Sequence, residues 1–136
     1  MGADLRRRSK QTRCITLKLR YTDFTTITRS HTLRQTGDTD QTIFGTGEKL
    51  LKKALAQEGQ PIRLIGIRVS GLVEPEKQLD MLNPAAQRLE QLNSAIDRIR
   101  KKHGFSAIQT GRTLPLKDIF PTDKDGYTLH MPNLSR

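Results

Sequence analysis

Three runs of the sequence place Arg, Lys and hydroxyl side chains on segments of strand-like composition. They are Lys18 with Arg20; Thr25, Thr26, Thr28, Arg29, Ser30, His31 and Thr32; and Arg63 with Arg68 and Ser70. A cation that meets a phosphate releases a condensed counterion, and a hydroxyl or strand amide donates to a phosphate oxygen whatever base is attached. Such a surface grips a polyanion backbone and reads no sequence. Composition alone is equally compatible with Thr acting as a good strand residue and the charges keeping an exposed face hydrated.

Other arrangements that could carry chemistry lack the companions that chemistry needs. Asp38 with Asp40, and Asp123 with Asp125, have a metal-like spacing, but no phosphate loop, histidine pair or third carboxylate accompanies them. They read as solvated loop acids. His31, His103 and His130 are far apart, and the one cysteine, Cys14, falls in a segment of alternating apolar residues where a buried thiol is inert. Gly45 and Gly47 do not directly follow a strand, so they form no nucleotide loop. The sequence predicts no catalytic residue, no metal site and no cofactor in this chain.

The charge balance agrees with a polyanionic partner. Twenty-four Lys and Arg against 14 Asp and Glu give a formal charge of +10 and a pI near 10.3. Residues 1 to 36 carry nine basic side chains and two acidic ones, so most of the excess is N-terminal. In 136 residues with 34% apolar content, one ordinary core is expected. A single cysteine excludes an internal disulfide, and a reducing cytoplasm is the expected location. No apolar run approaches the roughly 20 residues that cross a bilayer, so no membrane partner is expected.

Positioning the basic groups requires a sheet. Ile15, Leu17 and Leu19 alternate with Thr16 and Lys18, the period of a half-buried strand. The short link Tyr21-Thr22-Asp23 suits a hairpin into a second strand over Phe24 to Leu33. Asp38 or Thr39 can cap a helix with Ile43, Leu50, Leu51, Ala54 and Leu55 on one side, ending at Gly59, with Gly45 and Gly47 weakening its first turns. Ile62 to Val73 predicts a third strand, with Gly66 and Gly71 as bulges or points of close backbone approach. Pro84 opens a further helix carrying Leu89, Leu92, Ala95, Ile96 and Ile99, and one more strand is expected at Phe105 to Gln109. The expected organisation is a basic remnant over 1–12, a core over 13–73, a connector over 74–84, a helix and strand over 85–110, and an extended or partly ordered tail over 111–136.

The runs RCITLKLRYTDFTTITRS (13–30) and IRLIGIRVSGL (62–72), with Ala95 to Arg100 and Gly104-Phe105 downstream, resemble the little-finger domain of bacterial Y-family translesion DNA polymerases. The resemblance covers roughly residues 5 to 110. It implies grip on double-stranded primer-template DNA, with the metal-binding carboxylates and magnesium in a separate catalytic palm. Carried over by position, it assigns phosphate contacts to Thr28, Arg29, Ser30, Arg63 and Arg68. His31 stands where some relatives have a stronger base, and neutral imidazole holds phosphate less firmly.

Gln78-Leu79-Asp80-Met81-Leu82 is similar to the bacterial sliding-clamp-binding pentapeptide, with Leu82 replacing the commoner Phe. Leu79, Met81 and Leu82 would fill apolar pockets while Gln78 orients the peptide. The plainer alternative is that these side chains staple the connector to the core.

The expected fold is α+β, a mostly antiparallel sheet of three or four strands with two helices, as an incomplete ferredoxin-like little finger. Ala3 to Arg8 is the last turn of a first helix, and a strand before it is missing. A missing central strand would leave unpaired amides, closed by the Phe105 to Gln109 strand or by pairing in a homodimer. The Met1-Gly2 start suggests a piece of a longer polypeptide. The other functional readings are a basic face for an acidic protein partner and an RNA-binding domain. Two Tyr, four Phe and no Trp count against a multi-base stacking platform.

Overall fold

The computed structural model describes residues 1–75, 82–123 and 126–128. The chain divides into two compact units, Met1–Pro84 and Ala85–Arg136. The first is built on a three-stranded antiparallel sheet of β1 (Gln11–Tyr21), β2 (Thr26–Gly37) and β3 (Ile62–Val73), in the order β2-β1-β3. Helix α1 (Gly2–Arg7) precedes the sheet, and α2 (Asp40–Gln57) connects β2 to β3.

The alternation along β1 decides where the core lies. Ile15, Leu17, Leu19 and Tyr21 are almost completely buried and face α1 and α2. Ile15 packs with Leu5 of α1 and Ile43 of α2, while Leu17 and Leu19 pack with Ala54, Leu50 and Leu51 of α2. Leu55 and Phe44 lie away from this contact, 43% and 60% exposed, so the helix buries a narrower stripe than the sequence predicts. Tyr21 is also not part of the hairpin link: it is the last residue of β1 and belongs to the core.

The sheet is continuous. β1 pairs with β2 from Thr12 to Arg20 and with β3 from Gln11 to Tyr21, so the expected gap does not exist within these strands. The central strand is β1, present in the chain, and β2 and β3 are the two edges of the sheet among the described residues. A bulge at Arg63 shifts the register between the Arg20–Leu64 and Tyr21–Ile62 pairs, whereas Gly66 lies in regular register opposite Lys18.

Thr39 is the N-cap of α2, its hydroxyl accepting from Thr42 N at 3.2 Å. The helix ends at Gln57, before Gly59. Its N-terminus is tied to α1: Gly2 N donates to Asp40 Oδ1 at 3.1 Å, Arg6 Nη1 donates to the Asp38 carbonyl at 2.8 Å, and Arg6 lies 3.5 Å from the Asp40 carboxylate. Asp40 is therefore a joint between two helices. Gly47 explains why a helix tolerates two early glycines: a Cβ there would lie 2.9 Å from Ile67 Cδ1, so the glycine lets α2 approach the sheet.

The second unit contains α3 (Pro84–His103), whose last turn carries Arg100, Lys101, Lys102 and His103, favourable for the helix dipole. Leu89 and Ile96 are half-buried, whereas Leu92 and Ile99 are exposed. Gly104, at φ +95°, ends the helix, and Phe105–Ala107 forms a 3-10 turn in place of the predicted strand. Arg100 donates twice to the Ile108 carbonyl, at 3.2 and 3.1 Å, and stacks 4.4 Å from the Phe105 ring centre. These contacts satisfy the carbonyl and hold the ring without a ladder. Phe105 also meets Tyr127 edge to face at 5.6 Å, and Tyr127 Oη lies within hydrogen-bond distance of both Gln109 Oε1 and the Thr113 carbonyl, between which its one hydrogen is shared. Part of the expected tail is thus structured, with a 3-10 turn at Leu114–Asp118 and a small ladder of β4 (Thr122–Asp123) and β5 (Gly126–Tyr127).

Two glycines two residues apart should respond oppositely to a side chain. Gly45 has open space around its Cβ position, so Gly45→Ala should raise stability by about 0.5–1 kcal/mol in urea unfolding. Gly47→Val should lower it by about 1–3 kcal/mol through overpacking against Ile67. Among the described residues the buried Tyr21 hydroxyl makes no hydrogen bond of ordinary geometry; burial, and next the nearby Glu58 carboxylate, push its pKa up. The raised value favours the protonated form in the folded state, so this contribution persists below the ordinary tyrosine pKa of about 10 and is lost as pH climbs through the higher folded value. Tyr21→Phe should leave the melting temperature unchanged or higher at neutral pH and reduce alkaline destabilisation.

Candidate nucleic-acid interface

On the face of the sheet opposite α1 and α2, the register assembles three rows. β1 contributes Cys14, Thr16, Lys18 and Arg20; β2 contributes Thr32, Ser30, Thr28 and Thr26; β3 contributes Ser70, Arg68, Gly66 and Leu64. Thr16 lies between Ser30 and Arg68, and Lys18 lies between Thr28 and Gly66. Besides Cys14 and Leu64, the face holds cations, hydroxyls and one open glycine, with no acidic residue in any of the three rows.

Neighbouring groups hold parts of this surface in place. Thr16 Oγ1 and Ser30 Oγ are 2.8 Å apart, and Arg20 Nε donates to Thr26 Oγ1 at 3.1 Å. Thr12 Oγ1 donates to the Ser70 carbonyl at 2.7 Å, fastening β1 to β3 beyond the rows. Ion pairs of the first unit lie elsewhere, among them the Met1 amino group and Arg7 with Asp4, Arg6 with Asp40, Lys10 with Glu74 and Lys52 with Glu48. Among the described residues, no carboxylate forms an ion pair with Lys18, Arg20 or Arg68.

The residues expected to act together do not all meet. Lys18, Arg20, Thr28, Ser30, Arg68 and Ser70 share the open face. Arg29 and His31 pair with Leu17 and Ile15, on the side of the helices. Side chains alternate across a strand, so four consecutive residues cannot share one face. Arg29 is half-buried, donates to the Thr28 carbonyl at 3.2 Å, and its charge acts on Tyr21. Arg63 stands at the bulge, its guanidinium 4.8 Å from the centre of the Phe24 ring. Thr25 lies in the hairpin turn, its amide held by Asp23 Oδ1 at 2.9 Å.

Thr16 and Gly66 join the face without having been singled out as contacts. The signal for Thr16 was its place between Ile15 and Leu17 in the alternation, and Gly66 gives a direct approach to the strand backbone because nothing lies within 4 Å of its Cβ position. Of the pentapeptide, Gln78, Leu79, Asp80 and Met81 fall outside the described residues; Leu82 is 84% exposed.

An antiparallel sheet with helices on one face and a basic, hydroxyl-rich surface on the other is the architecture of a little-finger domain. The impB/mucB/samB family C-terminal domain matches residues 1–82, and the chain belongs to that family. It is 47% identical over 118 residues to a DNA polymerase IV of Dehalococcoides mccartyi, covering 87% of this chain and 30% of the relative. It is 38% identical over 122 residues to DNA polymerase IV of Brucella melitensis, covering 83% of this chain and 26% of that protein. Against DNA polymerase IV 1 of Bacillus subtilis it is 38% identical over 103 residues, 72% of this chain and 24% of the relative. The chain thus spans about 30% or less of these relatives.

The two faces should separate in a salt titration of duplex binding. Lys18→Ala, Arg20→Ala and Arg68→Ala should each reduce the slope of log affinity against log salt by about 1, while Arg29→Ala and His31→Ala leave it nearly unchanged.

Proposed function

We propose that the chain is a DNA-gripping domain of a Y-family lesion-bypass polymerase, holding primer-template duplex by its phosphates without reading bases. The observation that carries this reading is the acid-free face on which Lys18, Arg20 and Arg68 stand among Thr16, Thr28, Ser30 and Ser70. Cations release counterions there, while hydroxyls replace phosphate-bound water. These donors meet the sugar-phosphate backbone equally on any sequence. Family membership and the DNA polymerase IV relatives support the assignment.

On this reading, nucleotidyl transfer and its magnesium belong to a catalytic palm in the parent polypeptide, and this domain supplies residence time on the template. The parent enzyme works in the cytoplasm. Among the described residues, no helix is long and apolar enough to cross a membrane. The pentapeptide Gln78 to Leu82 docks the polymerase to the sliding clamp, with Leu79, Met81 and Leu82 as apolar anchors. The exposure of Leu82 leaves that anchor available.

Two duplexes of unrelated sequence should bind with equal affinity and lose it steeply as salt rises; strong preference for one sequence, or insensitivity to salt, contradicts phosphate grip. Replacing Gln78, Leu79 and Leu82 together by Ala should abolish capture by an immobilised sliding clamp and leave duplex affinity within about twofold. Loss of both activities would assign these side chains to the fold.

A further inference from the structure

Two phenylalanine rings of the sheet unit face solvent, Phe44 on α2 and Phe24, which is 63% exposed and stands at the turn between β1 and β2. The backbone of Phe24 is left-handed, at φ +67°, an uncommon conformation for a bulky residue. The turn fixes that conformation from several sides. Phe24 N donates to the Tyr21 carbonyl at 3.0 Å, Thr25 N donates to Asp23 Oδ1 at 2.9 Å, and Thr22 N donates to the Pro61 carbonyl at 3.2 Å. The last bond fastens the turn to the start of β3. There the bulged Arg63 lays its guanidinium over the Phe24 ring. The core gains nothing from this ring, and it stands at the Arg20–Thr26 end of the phosphate-binding face.

We infer that Phe24, backed by Arg63, is a stacking contact for an unpaired nucleobase at the end of the duplex held by the sheet. Aromatic rings stack on any base, and a guanidinium against the ring adds a cation for the adjoining phosphate. One ring serves one base, so the scarcity of aromatics that argues against a multi-base platform does not bear on it. The inference rests on the duplex-gripping reading and adds a contact that depends on bases and not on charge.

The test compares a duplex with an unpaired template overhang and the same duplex with an overhang of abasic sugar-phosphates, equal in charge. The unmodified protein should prefer the base-bearing overhang by roughly fivefold. Phe24→Gly, which suits the left-handed turn, should remove the preference without changing the salt slope. The chain contains no tryptophan, so Phe24→Trp reports directly: its fluorescence should be quenched by the base-bearing overhang and not by the abasic one. A preference that survives Phe24→Gly, or equal quenching by both DNAs, overturns the stacking contact. Failure to bind the blunt duplex in a salt-sensitive way overturns the underlying reading as well.

Discussion

The structure depends on the two-residue alternation of β1, fixed from both sides by neighbouring strands. Because the ladders run along almost the whole strand, Ile15, Leu17, Leu19 and Tyr21 all point into the core, and Thr16, Lys18 and Arg20 all point away from it. A slip of one residue would bury a lysine and an arginine and expose four large apolar groups, so the core enforces the composition of the outer face. Fold and binding surface are therefore a single constraint read on opposite sides of one strand.

Charge follows the same division. Several acids of the first unit serve its helices and edges: Asp40 joins α1 to α2, Glu48 pairs with Lys52 along α2, and Glu74 takes Lys10 beyond the end of β3. The cations of the sheet face stand in rows that hold no acid, where an exposed cation has more to gain from a phosphate than from a weak surface ion pair. Gly47 lets α2 settle close to Ile67, and the helix covers one face of the sheet.

Much of this was legible in the residues. The strand at Cys14 to Leu19, the strand at Ile62 to Val73, the helix after Thr39, the helix from Pro84 and the remnant helix at Ala3 to Arg8 all appear. The interface was legible in kind but not in membership. The consecutive residues Thr28 to His31 were grouped by chemistry, although strand alternation sends Arg29 and His31 behind the sheet. The expected gap came from assigning the centre of the sheet to a strand before β1; β1 pairs with β3 far along the chain, Thr12 opposite Leu72 and Cys14 opposite Ser70, and local patterning carries no trace of it. The strand expected at Phe105 failed for a similar reason. Its apolar residues are held by Arg100 and by Tyr127, a side chain far along the chain.

The central claim is that the outer face of the sheet is the side that meets the double helix. Backbone amide shifts recorded by NMR during addition of a short duplex test it residue by residue. The largest changes should fall on Thr16, Lys18, Arg20, Thr28, Ser30, Gly66 and Arg68; changes concentrated on α1, α2, Arg29 and His31, with the open face silent, would contradict it.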